Sequence, residues 1–80
     1  MQEADIYAQL TTIFHDVFMR DDLVLHPDLT ANQVADWDSF KQVEIIIATE
    51  EHFGIKFHTR ELDTLANVGD LVRVVLAKAP

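Results

Sequence analysis

Apolar residues recur at three- and four-residue spacing along most of this chain, the periodicity of a helix with one buried face. Ile6, Leu10, Ile13, Phe14, Val17 and Phe18 fill one arc of a wheel drawn at about 100° per residue, with Gln9, His15 and Asp16 outside it. The spacing predicts an amphipathic helix over Ala4–Met19, with Arg20 placed to meet the negative end of its dipole. From Arg20 to Asp38 the pattern breaks, and Pro27 interrupts any helix nearby. Leu23, Val24, Leu25, Leu29, Val34 and Trp37 keep this stretch apolar, so it is expected to pack over the helices as a long connection. Thr30-x-x-Gln33 has the spacing of a capping box and predicts a short turn near Thr30–Val34.

A second helix is predicted from Asp38 or Ser39 to about His52. Ser39 and Gln42 have capping-box spacing, and Gly54 supplies the stop. A short third helix covers Thr59–Thr64. A fourth opens after Asn67, a good N-cap, with Asp70 in its first turn and a stripe of Val68, Leu71, Val72 and Val75. Its end, Ala77–Pro80, is expected to fray. The whole reads as an all-α fold: a small four-helix bundle with a long first connection and a short third helix. Residues 1–80 are read as one domain, because 80 residues hold a single core.

The second helix has more apolar surface than one core face needs. On its wheel Phe40, Val43, Glu44, Ile47, Glu50 and Glu51 fall together, while Gln42, Ile45, Ile46, Thr49, His52 and Phe53 fall opposite. Burying an unpaired carboxylate is costly, so the carboxylate-free side should face the core. Phe40, Val43 and Ile47 are then left outside among Glu44, Glu50 and Glu51, as a docking patch for a partner with basic and apolar groups. The opposite arrangement, with those three residues in the core and the glutamates reaching past its edges, has the same periodicity.

Composition narrows the function. The chain is 49% apolar and 25% charged, enough for a packed core. Six basic against fourteen acidic residues give a formal charge of -8, which disfavours nucleic acid and anionic membranes and favours basic partners. With no cysteine, disulfides, thiolate metal sites and cysteine nucleophiles are excluded. No apolar run approaches the roughly 18 residues of a membrane span, and the acidic start lacks the basic region of a secretory signal. A cytoplasmic monomer is expected.

The candidate chemistry lies at the start of the second helix. A serine there presents its hydroxyl beside unpaired backbone N–H groups, where the helix dipole favours an anion, so it could hold a phosphate ester. Asp36 and Asp38 bring carboxylates that could help a modifying enzyme hold a divalent cation. A serine or aspartate before a helix also serves simply as a cap. Other chemistries fit less well. His15, His26, His52 and His58 lack the spacing of a zinc site. Asp36-x-Asp38 begins like a calcium loop, but Lys41 and Ile47 stand where the loop needs Gly and Glu. Ser39 is not in a Gly-x-Ser-x-Gly elbow.

The stretch Asp36-Trp37-Asp38-Ser39-Phe40-Lys41-Gln42-Val43-Glu44-Ile45-Ile46-Ile47-Ala48-Thr49-Glu50-Glu51-His52-Phe53-Gly54-Ile55 resembles the modification-site helix of the acyl carrier proteins. Glu61-Leu62-Asp63-Thr64-Leu65-Ala66-Asn67-Val68-Gly69-Asp70-Leu71 resembles that family's third helix and the start of its fourth. The resemblance implies a carrier, not an enzyme. A phosphopantetheinyl transferase would attach 4'-phosphopantetheine to Ser39, and the terminal thiol would hold an acyl group as a thioester. A chain without cysteine would thus do thiol chemistry with a cofactor's sulfur. Asp38 would assist the modifying enzyme. Glu44, Glu50 and Glu51 would be read by partner Arg and Lys, with Phe40, Val43 and Ile47 as the apolar contacts between them. Implied partners are the transferase, an acyl-loading ligase or acyltransferase, and downstream synthase enzymes of fatty-acid or lipid metabolism.

Two departures from the family pattern stand out. Phe40 replaces the usual Leu after the serine, and Lys41 stands where many fatty-acid carriers have an acidic or polar residue. The bulkier Phe40 would narrow the set of partners, and Lys41 suggests a specialised pathway in place of the general fatty-acid enzymes. Ile45, Ile46, Thr49, Phe57, Leu62 and Leu65 are candidates for an inner acyl pocket. Two alternatives stay open: an aminoacyl carrier, such as a D-alanyl or peptidyl carrier, and an unmodified helical adaptor that uses the acidic apolar patch without Ser39.

Overall fold

Ile6, Leu10, Ile13, Phe14 and Phe18 lie buried along one side of a sixteen-residue helix, α1 (Glu3–Phe18), in a computed structural model that describes residues 2–79. Three further helices follow: α2 (Ser39–Phe53), α3 (Thr59–Asp63) and α4 (Val68–Lys78). Among the described residues there is no strand, and a single 3-10 turn at Ala31–Gln33 interrupts the α1–α2 connection. Gln33 accepts from the Thr30 N–H at 3.0 Å, as the capping-box spacing predicts. α1 packs against both α2 and α4. Its buried residues share one core with Ile45, Ile46 and Phe53 of α2 and with Val68, Leu71, Val72 and Val75 of α4. The all-α bundle with a long first connection and a short third helix is the observed fold. Among the described residues no helix is long and apolar enough to cross a membrane.

The end of α1 departs from the sequence expectation. Met19 closes the helix in the left-handed region at φ 54°, and the Arg20 N–H donates to the His15 carbonyl at 3.1 Å. Arg20 turns instead to Asp22, with its guanidinium 2.8 Å from the carboxylate. The cation at the negative end of α1 is Lys41 of α2, whose ammonium donates to the Val17 carbonyl at 3.1 Å. A lysine from a packed neighbouring helix can reach along the axis to a terminal carbonyl, whereas Arg20 follows a reversed residue and leaves the axis. Lys41, one of the two departures from the family pattern, is therefore a structural tie between α1 and α2.

The α1–α2 connection is strapped down at three places. A ring nitrogen of His15 is 2.9 Å from the Leu23 carbonyl. Leu29 and Val34 insert into the core, with Leu23, Leu25 and Trp37 packed against it. The first N–H groups of α4, which lack partners within their own helix, donate to this loop: Val68 to Leu29 at 2.9 Å and Gly69 to Pro27 at 3.0 Å. The approach is close: a Cβ on Gly69 would lie 3.0 Å from the Pro27 carbonyl oxygen and 3.2 Å from its Cα, so a larger residue would make the loop give by a few tenths of an ångström.

At the other end of α2, Gly54 takes φ 67°, and its N–H and that of Ile55 both donate to the Glu50 carbonyl. α4 runs through Ala77 and Lys78, residues expected to fray, because the Lys78 ammonium is fixed 2.9 Å from the Glu61 carboxylate of α3. Pro80, the last residue of that expectation, lies outside the described residues.

Candidate functional site

The N-terminus of α2 is built differently from the predicted Ser39–Gln42 capping box. Asp38 is the cap, and its carboxylate accepts from the Lys41 N–H at 2.9 Å. Gln42 turns away to accept the indole N–H of Trp37 at 2.7 Å. Trp37 is wedged edge-on against Phe14, centroids 5.3 Å apart, and against Phe18 at 5.9 Å. A half-buried indole N–H needs an acceptor, and an aspartate one residue earlier caps as well as a serine. Together these demands leave Ser39 as the first residue of α2, exposed and freed from capping. It is the sole serine among the 80 residues.

Beside Ser39 opens a cleft of about 390 Å³ between α2, α3 and the start of α4. Its apolar wall comes from Ala31, Trp37, Ile45, Leu62, Leu65, Ala66, Val68 and Leu71; its polar rim comes from Asp38, Ser39, Gln42 and Asn67. Of the six residues read as an acyl pocket, Ile45, Leu62 and Leu65 line this cleft, whereas Ile46, Thr49 and Phe57 do not. Thr49 is fully buried and donates its hydroxyl to the Ile45 carbonyl at 2.7 Å, within its own helix. Ile46 belongs to the core, and Phe57 packs half-buried against it. Sequence reasoning did not find Trp37, Gln42 and Asn67 as cleft residues. They come from separate elements, and no local spacing relates them.

The outer side of α2 is as the wheel suggests. Phe40 is 78% exposed, Val43 56% and Ile47 49%. Glu44 and Glu51 stand exposed beside them, with Asp36 and Asp38 exposed at the helix start. Glu50 differs: it is half-buried, and its carboxylate accepts the Phe57 N–H at 2.8 Å, holding the α2–α3 turn. Lys41 pairs with Glu44 at 3.8 Å on the edge of the patch, while its ammonium also donates to the Val17 carbonyl of α1. His52 hydrogen-bonds Gln9 across the α1–α2 interface. Among the described residues no three His, Cys, Asp or Glu are grouped to hold a metal ion.

α3 forms one side of the cleft and is held by Glu61. The Glu61 carboxylate accepts from the His58 N–H at 2.7 Å and pairs with Lys78. The backbone hydrogen bond first, and the ammonium second, lower its pKa below the ordinary carboxylate value. A depressed carboxylate pKa contributes stability that is present at neutral pH and lost as pH falls through the carboxylate range. Acidification is therefore expected to lower the protection factors of the Leu62–Leu65 amides, measured against their intrinsic exchange rates at each pH, before those of the α1 and α4 core, as hydrogen exchange followed by NMR would detect. Uniform protection across that range would contradict it.

The site fits a covalently tethered prosthetic group. An exposed hydroxyl stands at a helix start, its capping duty taken by a neighbour, beside an apolar cleft that can shelter what the tether carries. Comparison with known proteins agrees. Residues 8–75 match the family model described as "Phosphopantetheine attachment site". An acyl carrier protein of Acidothermus cellulolyticus is 29% identical over 72 residues, 90% of this chain and 86% of that one. The solution NMR structure of the holo acyl carrier protein of Geobacter metallireducens superposes with a TM-score of 0.86 at 42% identity, covering 90% of this chain and 83% of that one. On these matches the chain belongs to the acyl carrier protein family, whose members carry covalently attached 4'-phosphopantetheine.

Proposed function

We propose that Ser39 is the residue of this chain that bears 4'-phosphopantetheine, as a phosphodiester, and that the protein carries an acyl group between enzymes of a specialised pathway. The observation that carries the reading is the meeting, at the chain's sole serine, of an exposed helix start and an apolar cleft. Once attached, the group supplies a terminal thiol that holds the cargo as a thioester. The chain's own residues do the rest. Asp38 fixes the first turn of α2 and presents a carboxylate to the modifying enzyme. The helix start offers its dipole to the phosphodiester. Ile45, Leu62, Leu65, Val68 and Leu71 give the cargo an apolar wall. Residues 1–80 act as one carrier unit, in the cytoplasm, without catalysing a reaction themselves.

Phe40, Val43 and Ile47 form the contact that the transferase, the loading enzyme and downstream synthases share, and Glu44 and Glu51 steer basic partners onto it. Glu50 adds charge at the edge of this face while one of its oxygens is held inward. The Glu44→Lys/Glu51→Lys double variant is expected to lower kcat/KM for modification by about tenfold or more at low salt, with the gap narrowing as ionic strength rises. Glu50→Gln is expected to change that rate far less and to cost about 1 kcal/mol of stability, the difference between a charge-assisted and a neutral hydrogen bond. Rates that ignore both salt and reversal would remove the electrostatic part of the reading. The identity of the bearing residue is tested by intact mass after incubation with coenzyme A and a phosphopantetheinyl transferase, followed by fragment masses. One added group on the peptide holding Ser39 is expected, and a group elsewhere, or none, would overturn the proposal.

A further inference from the structure

Two carboxamides line the cleft with their polarity settled by chemistry. Gln42 Oε1 accepts the Trp37 indole N–H at 2.7 Å, and an indole nitrogen can only donate. Asn67 Oδ1 accepts the Asp70 backbone N–H at 2.8 Å, which also can only donate. Neither amide can turn over without setting a donor against a donor. The NH2 group is therefore the part of each side chain still free to donate, and both residues line the cleft. No buried side-chain nitrogen or oxygen among the described residues lacks a partner, so these NH2 groups are not sealed in the core and remain open to solvent or ligand. One comes from the first turn of α2 and the other from the cap of α4, so amide donors stand on two elements of a rim that also holds Asp38 and Ser39, around an apolar wall.

A saturated hydrocarbon chain offers these donors nothing and would strip water from them, which is unfavourable. A chain with a carbonyl or hydroxyl oxygen beyond the thioester carbonyl, which both kinds of cargo share, offers them an additional acceptor. Resting on the reading that Ser39 bears the prosthetic arm, we propose that Gln42 and Asn67 make the cleft selective for cargo bearing an oxygen acceptor, such as a 3-oxoacyl or 3-hydroxyacyl chain, over saturated cargo of equal length. They act as specificity-determining residues, Trp37 and Asp70 holding them in the donating orientation.

The test uses apo protein loaded by a phosphopantetheinyl transferase from octanoyl-coenzyme A or from 3-oxooctanoyl-coenzyme A, with the unacylated holo form as reference. Intact and fragment masses first establish loading at Ser39; failure there is a failure of the attachment reading and not of selectivity. In the loaded proteins the side-chain NH2 resonances of Gln42 and Asn67 are then followed by 1H–15N NMR, with Asn32 on the exposed 3-10 turn as control. The 3-oxo chain is expected to shift both pairs and the saturated chain to leave them near their holo positions. Gln42→Glu and Asn67→Asp keep an acceptor for Trp37 and for the Asp70 N–H but remove the donors, so they separate selectivity from folding. In each variant the cleft-occupied fraction of the 3-oxo form, read from the Ile45 and Leu65 methyl shifts, should fall about two- to tenfold, the size of one net hydrogen bond, while the saturated form changes little. Equal NH2 shifts from the two chains, no shift from either, or equal response of both chains to the variants would overturn the proposal.

Discussion

The Ser39→Ala variant is expected to fold as the parent chain does and to gain no mass with coenzyme A and any phosphopantetheinyl transferase that modifies the parent. The first half of that outcome follows from the cap. Asp38, not Ser39, satisfies the Lys41 N–H, so removing the Ser39 hydroxyl leaves the cap of the helix intact. Alanine is also well suited to a first helical position. The stability change should stay within about 0.5 kcal/mol, as for exposed positions without special contacts. Asp38→Ala is the contrasting variant: it keeps the acceptor hydroxyl and loses the cap, at about 1 kcal/mol. The second half follows from composition, since no other serine can take over. Thermal unfolding and intact mass on the two variants separate the tethering role of one side chain from the capping role of its neighbour. Modification of the Ser39→Ala protein would transfer the role to a threonine or remove it.

Phe14→Ala is expected to cost about 3–5 kcal/mol, the range for deleting a buried aromatic ring. A domain of this size has of the order of 4–12 kcal/mol in total, so the variant should unfold at much lower denaturant or temperature. Phe14 is fully buried, and its ring meets both Phe18 and Trp37. Its loss therefore also frees Trp37, and through the indole bond it loosens Gln42 and the start of α2. Trp37 is the only tryptophan, so its fluorescence reports this directly. Emission should shift to the red under conditions where the variant is still mostly folded. An unshifted spectrum in the folded variant would mean that the aromatic cluster does not position the loop.

Much of this molecule was legible along the chain because helices advertise themselves locally. The stripes of α1 and α4, the stop at Gly54 and the caps at Thr30 and Asn67 each depend on residues within one turn of one another, and each stands where its spacing puts it. The surplus apolar face of α2 was readable for a related reason. The high cost of burying carboxylates decides which side of a wheel faces outward, and Phe40, Val43 and Ile47 are exposed accordingly. The resemblance to acyl carrier proteins rests on the same short-range order of residues.

What the chain by itself determined was the set of helices, their inward faces, the acidic surface and the serine at a helix start. Tertiary structure alone decided who does what among neighbours. Asp38 took the cap because Trp37, wedged between Phe14 and Phe18, claimed Gln42; Lys41 closed α1 because the two helices pack; Glu50 turned inward because Phe57 returned beside it. The cleft exists because α3 and the start of α4 come to lie beside Ser39, the latter held by the loop carbonyls of Pro27 and Leu29. The physical reason is the reach of the interactions. Periodicity and dipoles act within a turn or two, whereas a donor's choice among several acceptors depends on which distant segment packing brings within 3 Å.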